Sequence, residues 1–272
     1  MKRINKSKPP KLKNGFKISR KVFGYPYVLF LLIFVVLPLV MILVNAFMEK
    51  GSFTFENFKT FFTETQNMAV LGNSIVIGLI TTSICLLIGY PVAYFINKYH
   101  KNSALVLFFV LPMWVNFLVR TLATRSIFQA MHIELGLGTL ITGLVYNFLP
   151  FMILPLNTTI SGIDNSYMEA AQDLGADNLT VFTKTILPLS LPGIISGITM
   201  VFIPTISTFA ISSFLSGSAS IILFGDSIND KFSYQLYGVG SVMSLVMLIL
   251  VLISNLFMNK FNKTQAEAKN LW

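Results

Sequence analysis

The chain is 272 residues long, 54% hydrophobic and 13% aromatic, with only 11% charged residues and a formal net charge of +9. Soluble domains carry roughly 25% charged residues, so this composition excludes an ordinary soluble domain and points to a membrane. A nucleic-acid role for the positive charge fails on its distribution, because nine of the twenty cations precede the first apolar run.

Those nine (Lys2, Arg3, Lys6, Lys8, Lys11, Lys13, Lys17, Arg20 and Lys21) lie in a basic segment, 1–25, where Pro9-Pro10 and scattered lysines predict little order. Near anionic headgroups each cation contributes about 1 kcal/mol, so membrane lipid is the expected partner. The apolar run 26–48 follows. It reaches the roughly 20 residues a helix needs to cross a bilayer core, and no A-x-A-like cleavage site follows it. It is therefore expected to be a retained first span. Further apolar segments at 71–95, 104–123, 138–160, 192–216 and 239–259 make six, and Arg120 is the only formal charge inside them. Backbone groups in lipid must be hydrogen-bonded within their own segment, which requires helices; the alternating pattern of a barrel is absent. The expected fold is an all-α polytopic membrane protein with six transmembrane helices. Pro38, Pro91, Pro112, Pro150, Pro155 and Pro204 punctuate them, each removing a backbone donor and inviting a kink.

The cations orient the bundle. With the N-terminal segment inside, the inner loops hold Lys98, Lys101 and Lys184 and the tail 261–272, with its flank, holds Lys260, Lys263 and Lys269. Fifteen of the twenty cations then lie inside, leaving Lys50, Lys59, Arg120, Arg125 and Lys231 outside. Both ends are expected in the cytoplasm.

The loop 161–191 is then cytoplasmic, and it is acidic, with Asp164, Glu169, Asp173 and Asp177 against Lys184. Its residues predict two short helices. Ser166 and Glu169 have the S-x-x-E spacing of a capping box, opening a helix over 167–174 that Gly175 stops in left-handed conformation. Asp177 or Asn178 caps a second helix running to Leu187, which Pro188 helps to end. Two readings fit this grammar: an interfacial linker lying on the membrane, or a docking element.

"EAAQDLGADNLTVFTKTILP" resembles the EAA loop of ABC-importer permeases, whose pattern is EAA, three residues, G, nine residues and I-x-L-P. Glu169, Ala170, Ala171, Gly175, Leu187 and Pro188 fall in register, while Thr185 stands where the pattern has isoleucine. The resemblance implies a type I importer permease of MetI-like fold, in which this loop is a coupling helix seated in a cleft of an ATPase. "LPMWVNFLVRTLA" (Leu111–Ala123) and "GLVYNFLPFMILPLNTTISGID" (Gly143–Asp164) are similar to the corresponding stretches of spermidine/putrescine permeases, and the likeness extends over most of 20–260. It implies a bacterial plasma-membrane complex. The other members would be a homologous second permease (PotC-like), two ATPase subunits (PotA-like) and an extracellular polyamine-binding protein (PotD-like).

A polyamine is a multivalent cation with apolar methylenes, which suits carboxylates, carbonyls and aromatic faces. On the outer side Glu134, Asp226 and Asp230 are candidate acceptors, with Tyr234 and Tyr237 nearby. The spans hold no carboxylate, so passage would rely on neutral groups: Trp114, Asn116, Tyr146, Asn147, Thr205, Ser207 and Thr208. The same residues equally suit hydrogen bonds between helices. Arg120 opposes a cationic cargo and is expected to snorkel outward or pair with Glu134; its place in an L-V-R-T run suggests an outer gate or a binding-protein contact.

No G-x-x-x-x-G-K-[ST] phosphate loop occurs, so ATP and magnesium are expected in the partner ATPase and no cofactor on this chain. Cys85 lies alone in an apolar run, and His100 and His132 are far apart, so neither catalysis nor a metal site is expected. The alternatives are an ABC permease for another small solute, or a stand-alone secondary carrier. The latter would be expected to show intramembrane carboxylates or an internal repeat, and neither is present.

Overall fold

The computed structural model describes residues 24–49, 51–99, 103–217 and 221–269; all nine cations of the basic segment lie outside them. The first span is a nearly continuous helix, α1 (Gly24–Leu31) and α2 (Leu37–Phe47), joined by a π turn over Leu32–Val36. The π turn has a cause. Pro38 offers no N–H to the carbonyl four residues back and its ring crowds that carbonyl; one extra residue in the turn relieves both. There follow a two-stranded antiparallel hairpin, β1 (Met48–Glu49) with β2 (Ser52–Phe53), and α3 (Glu56–Thr63).

The second span, α4 (Thr65–Tyr99), is longer than the expected 71–95 and carries Pro91 inside it. At about 1.5 Å per residue its length exceeds a roughly 30 Å hydrocarbon core. The fourth, α7 (Leu137–Ser161), matches the expected 138–160, and α14 (Tyr237–Lys269) runs on past the expected end of the sixth at 259.

Spans three and five depart from the sequence reading. The expected straight helix 104–123 is broken: α5 (Ser103–Val110) passes into a 3₁₀ turn at Leu111–Trp114, and α6 (Phe117–Ala130) leaves at 99°. Pro112 forbids continuation, Val115 is extended, and the Asn116 side chain accepts from the Leu118 N–H to start α6 afresh. The expected 192–216 likewise ends early. Its helix α11 (Leu191–Ser207) stops at Thr208, Ala210 adopts φ +76°, and α12 (Ile211–Leu215) starts as a separate helix. Four helices are individually long and apolar enough to cross a bilayer; the bent pairs Val106–Trp114 with Phe117–Ala130 and Asn178–Leu189 with Leu191–Ser207 raise the number to as many as six if each counts as one span.

The core lies where α4, α7 and α11 meet, around Cys85, Tyr90, Ala93, Met152, Leu156 and Val201. A second cluster binds α2, α3, α4, α13 (Phe224–Ser233) and α14 through Ala46, Phe61, Val70, Phe224 and Met243. The apolar side chains of α1 and α2 are almost all exposed, the surface expected of a span bathed in lipid or covered by another subunit.

Candidate functional site

The acidic loop forms two short helices, as its residues predict, but with a different first cap. α8 spans Asn165–Asp173, and its N-cap is Asp164, whose Oδ1 accepts from the Ser166 N–H at 2.9 Å. The expected Ser166–Glu169 box does not form, because the helix starts before Ser166 and a carboxylate one position upstream of that start takes the orphan donor. Glu169 is exposed and makes no hydrogen bond or ion pair among the described residues.

The C-terminus of α8 is a complete Schellman motif: Ala176 N–H bonds the Ala171 carbonyl at 3.1 Å, and Gly175 N–H the Gln172 carbonyl at 2.8 Å. Gly175 holds φ +84° with open space around it, so backbone conformation alone requires the glycine. α9 (Asn178–Val181) is capped by Asp177, which accepts from Thr180 N–H at 3.1 Å. It continues through a π turn (Phe182–Ile186) into α10 (Leu187–Leu189). Here too the π turn precedes a proline: Pro188 sits in the first turn of α10 instead of ending the helix, and the chain bends by 62° at Ser190 into α11.

Both caps leave an electrostatic trace. The Asp164 carboxyl is held below its ordinary pKa by the Ser166 backbone and side-chain hydrogen bonds. Asp177 is lowered by its bonds with the Thr180 side chain and backbone. An exposed apolar rim accompanies the exposed acids: Leu174 is 90% exposed and Leu179 70%. Of the six residues in EAA register, Glu169, Ala170, Gly175 and Pro188 are exposed and Ala171 and Leu187 half-buried. A cleft of about 700 Å³ separates the pair from the ends of α4 and α7, lined in part by Tyr94, Asn97, Asn157, Asp164 and Gln172.

The candidate path residues fall at the two helix breaks and on α7. Trp114 ends the 3₁₀ turn and is 78% exposed, Asn116 caps α6, and Tyr146 is exposed beside the buried Asn147. Asn147 Nδ2 donates to the Gly143 carbonyl at 2.9 Å and approaches Thr121 Oγ1 at 3.5 Å, but its Oδ1 has no partner among the described residues. On α11, Thr205 is buried and bonds back to the Val201 carbonyl, Ser207 is exposed, and Thr208 ends the helix. No hydrogen bond joins the α6–α7 group to the α11 group among the described residues.

Arg120 corrects the sequence expectation. It neither snorkels nor pairs with Glu134: it is 8% exposed, and its Nε and Nη1 have no partner among the described residues. The break at residues 115–116 places it one turn into α6, facing inward. Asp226 is also buried, at 7% exposure. Its oxygens accept from Ala210 N–H at 2.9 Å, Leu223 N–H at 3.0 Å and the Ser212 hydroxyl. It thereby pins the reversal at 208–210 to α13, where Gly225 lets the Ser207 and Thr208 carbonyls lie against the backbone. Glu134 and Asp230 remain exposed, as are Tyr234 and Tyr237. Residues Glu64 and Lys231, which sequence reasoning did not single out, bridge α3's end to α13 at 3.5 Å. Among the described residues no three His, Cys, Asp or Glu side chains form a metal-binding group.

The family described as binding-protein-dependent transport system inner membrane component matches residues 86–266. The chain is 38% identical over 228 residues to the spermidine/putrescine transport system permease protein PotB of Haemophilus influenzae, covering 74% of this chain and 79% of that protein. Against the Escherichia coli protein of the same name the figures are 36% over 228 residues, 74% and 82%. It is also 25% identical over 264 residues to the H. influenzae permease protein PotC, covering 92% and 98%. Among solved structures, a chain of a bacterial ABC transporter involved in import of the acidic polysaccharide alginate superposes with a TM-score of 0.70 at 14% identity, covering 88% of this chain and 94% of that one. An inward-facing MetNI methionine transporter chain gives 0.56 at 17% identity, covering 74% and 98%.

Proposed function

The chain belongs to the binding-protein-dependent transport system inner membrane components, and from that premise we propose that it is the membrane permease through which an ATP-driven importer takes polyamines into the cytoplasm. A permease of this family is not an enzyme; ATP hydrolysis resides in a separate subunit. The names of the relatives support spermidine or putrescine as cargo.

The observation that carries the coupling role is the capped, solvent-exposed helix pair bearing the EAA pattern. α8 is closed at both ends by its own side chains and backbone, so a push on it moves the unit and does not unravel it. Glu169 is free for a cation on the ATPase, with Leu174 and Leu179 beside it as apolar anchors. Glu169, Ala170, Ala171, Gly175, Leu187 and Pro188 form the ATPase-coupling element, and ATP with its magnesium is used in that partner. The helix pair and both ends of the chain face the cytoplasm, a placement supported by the cation distribution.

Polyamine passage uses the helix breaks. The break in span three exposes the Trp114 ring and Asn116, and Tyr146 adds a second half-exposed ring. Such faces attract ammonium groups by about 0.5–2 kcal/mol each. Thr205, Ser207 and Thr208 supply hydroxyls at the end of α11. Arg120 stands beside this route as a buried positive charge and gates it, and Glu134 and Asp230 at the outer side meet the binding protein. Asp226 holds the outer reversal in place. The assembled importer pairs the chain with a PotC-like second permease, two PotA-like ATPases and a PotD-like binding protein.

The test is uptake of labelled spermidine, putrescine and an anionic control in cells lacking this chain and without redundant systems. Polyamine uptake falls to background and returns when the chain is restored. Unchanged polyamine uptake refutes the cargo assignment.

A further inference from the structure

The bend between α10 and α11 is fastened to α4 by a buried polar chain. Ser190 has no exposed surface and sits at the 62° turn. Its Oγ donates to the Leu187 carbonyl at 2.9 Å. A serine hydroxyl has one hydrogen, so Tyr90 Oη, 2.8 Å away, is the donor of the second bond. The order Tyr90 O–H, Ser190 O–H, Leu187 C=O is thereby fixed, and in a low dielectric successive bonds of this kind polarise and strengthen one another.

A second attachment lies about two turns earlier. Phe182, first residue of the π turn, stands edge-on to the rings of Tyr90 and Tyr94, with centroids 5.8 and 5.1 Å away. Val181 and Ile186 beside it are also buried. The hydroxyl and the ring of one residue, Tyr90, thus hold the start and the end of the segment 182–190. This segment is the direct continuation of the α8–α9 pair. Any displacement of that pair must carry Tyr90, and with it α4, or break these contacts.

We propose that Tyr90 is the positioning residue that transmits motion of the cytoplasmic helix pair into α4, with Ser190 as its clasp at the hinge. The inference rests on the coupling role proposed above. Tyr90→Phe removes one oxygen and keeps the ring against Phe182, so it separates transmission from packing. A purely structural role lowers thermal stability and leaves uptake per ATP unchanged.

The complete complex, reconstituted in lipid vesicles, carries spin labels at Gln66→Cys on the outer end of α4 and Ile253→Cys on α14, which Tyr90 does not touch; native Cys85 has no exposed surface and takes no label. ATP with vanadate shifts the distance between the labels in the parent, and Tyr90→Phe reduces that shift. Uptake per ATP falls about 2- to 10-fold, the range expected for one net hydrogen bond. Ser190→Ala gives a similar loss, and the double variant is no worse than either, because both break one chain. Wild-type shift and wild-type uptake per ATP in Tyr90→Phe overturn the proposal. A parent complex that shifts on ATP but carries no polyamine refutes the cargo alone, and the distance change still judges Tyr90. A chain that binds no ATPase refutes both.

Discussion

Substitution at Gly175 isolates backbone conformation from every other effect. The residue sits at φ +84°, and a Cβ built there meets nothing within 4 Å. An L side chain in the left-handed region costs roughly 1–2 kcal/mol, and open surroundings add no clash. That is about a 5- to 30-fold loss in the population of the intact helix stop, since 1.4 kcal/mol is tenfold. Asparagine tolerates this conformation better than other side chains, and a β-branched residue tolerates it least. Uptake is therefore ordered Gly175, then Asn, then Ala, then Val, with Asp impaired further by charge beside Asp173 and Asp177. The penalty is local to an exposed loop, so all variants reach the membrane in normal amount. The assay is polyamine uptake in cells alongside co-purification of the ATPase. Wild-type uptake and ATPase retention by Gly175→Val refute the claim that the Schellman stop positions the coupling helix. Loss of Gly175→Ala from the membrane refutes the claim that the strain is local.

Glu169 has no partner in its own chain among the described residues, so Glu169→Lys leaves thermal unfolding within about 0.5 kcal/mol while ATPase retention and uptake collapse; a stability loss would mark it as a cap after all. Asp226→Ala strands three donors on Ala210, Ser212 and Leu223 and destabilises the detergent-solubilised protein by about 2–5 kcal/mol, read as a fall in unfolding temperature. If unfolding is unchanged and only the KM for polyamine rises, Asp226 is a cargo ligand. The caps at Asp164 and Asp177 titrate below the ordinary carboxylate value of 3.8. Their stabilisation is fully present above that value and is lost as pH falls through the lowered folded values. Amide exchange at Ser166 and Thr180 therefore stays protected at pH 5 and rises below pH 3.8, whereas loss at pH 5 contradicts the assigned caps.

Hydropathy and one loop motif determined much of this protein. Six apolar runs had to become helices because lipid offers backbone groups no partner, and each run does contain helix. Gly175 announced a left-handed stop and Asp177 or Asn178 a cap, of which the structure uses Asp177, both local decisions made within a few residues of chain. The EAA pattern and the Leu111–Ala123 and Gly143–Asp164 stretches pointed to the family that the comparisons then identified.

What the sequence left open was decided by contacts distant in the chain. Window averaging merges α5 with α6, and α11 with α12, because the single polar residues at the breaks, Asn116 and Thr208, are averaged away by their apolar neighbours. Pro112 and Asn116 were visible, but a kink and a break look alike until the next helix finds its packing. Arg120 reads as a residue near the end of a straight span and snorkels on that premise; the 99° turn moves it inward. Asp226 reads as a surface acid; its Leu223 donor is local, but the Ala210 N–H and the Ser212 hydroxyl, sixteen and fourteen residues earlier, reach it only in the folded chain. Tyr90 and Ser190 are 100 residues apart, and no local signal could have paired them. Sequence alone thus determined which segments are long apolar helices and which loop carries the EAA pattern. Tertiary structure decided where the spans break and how that loop is fastened to them, because burying a polar group requires partners that only the folded chain brings together.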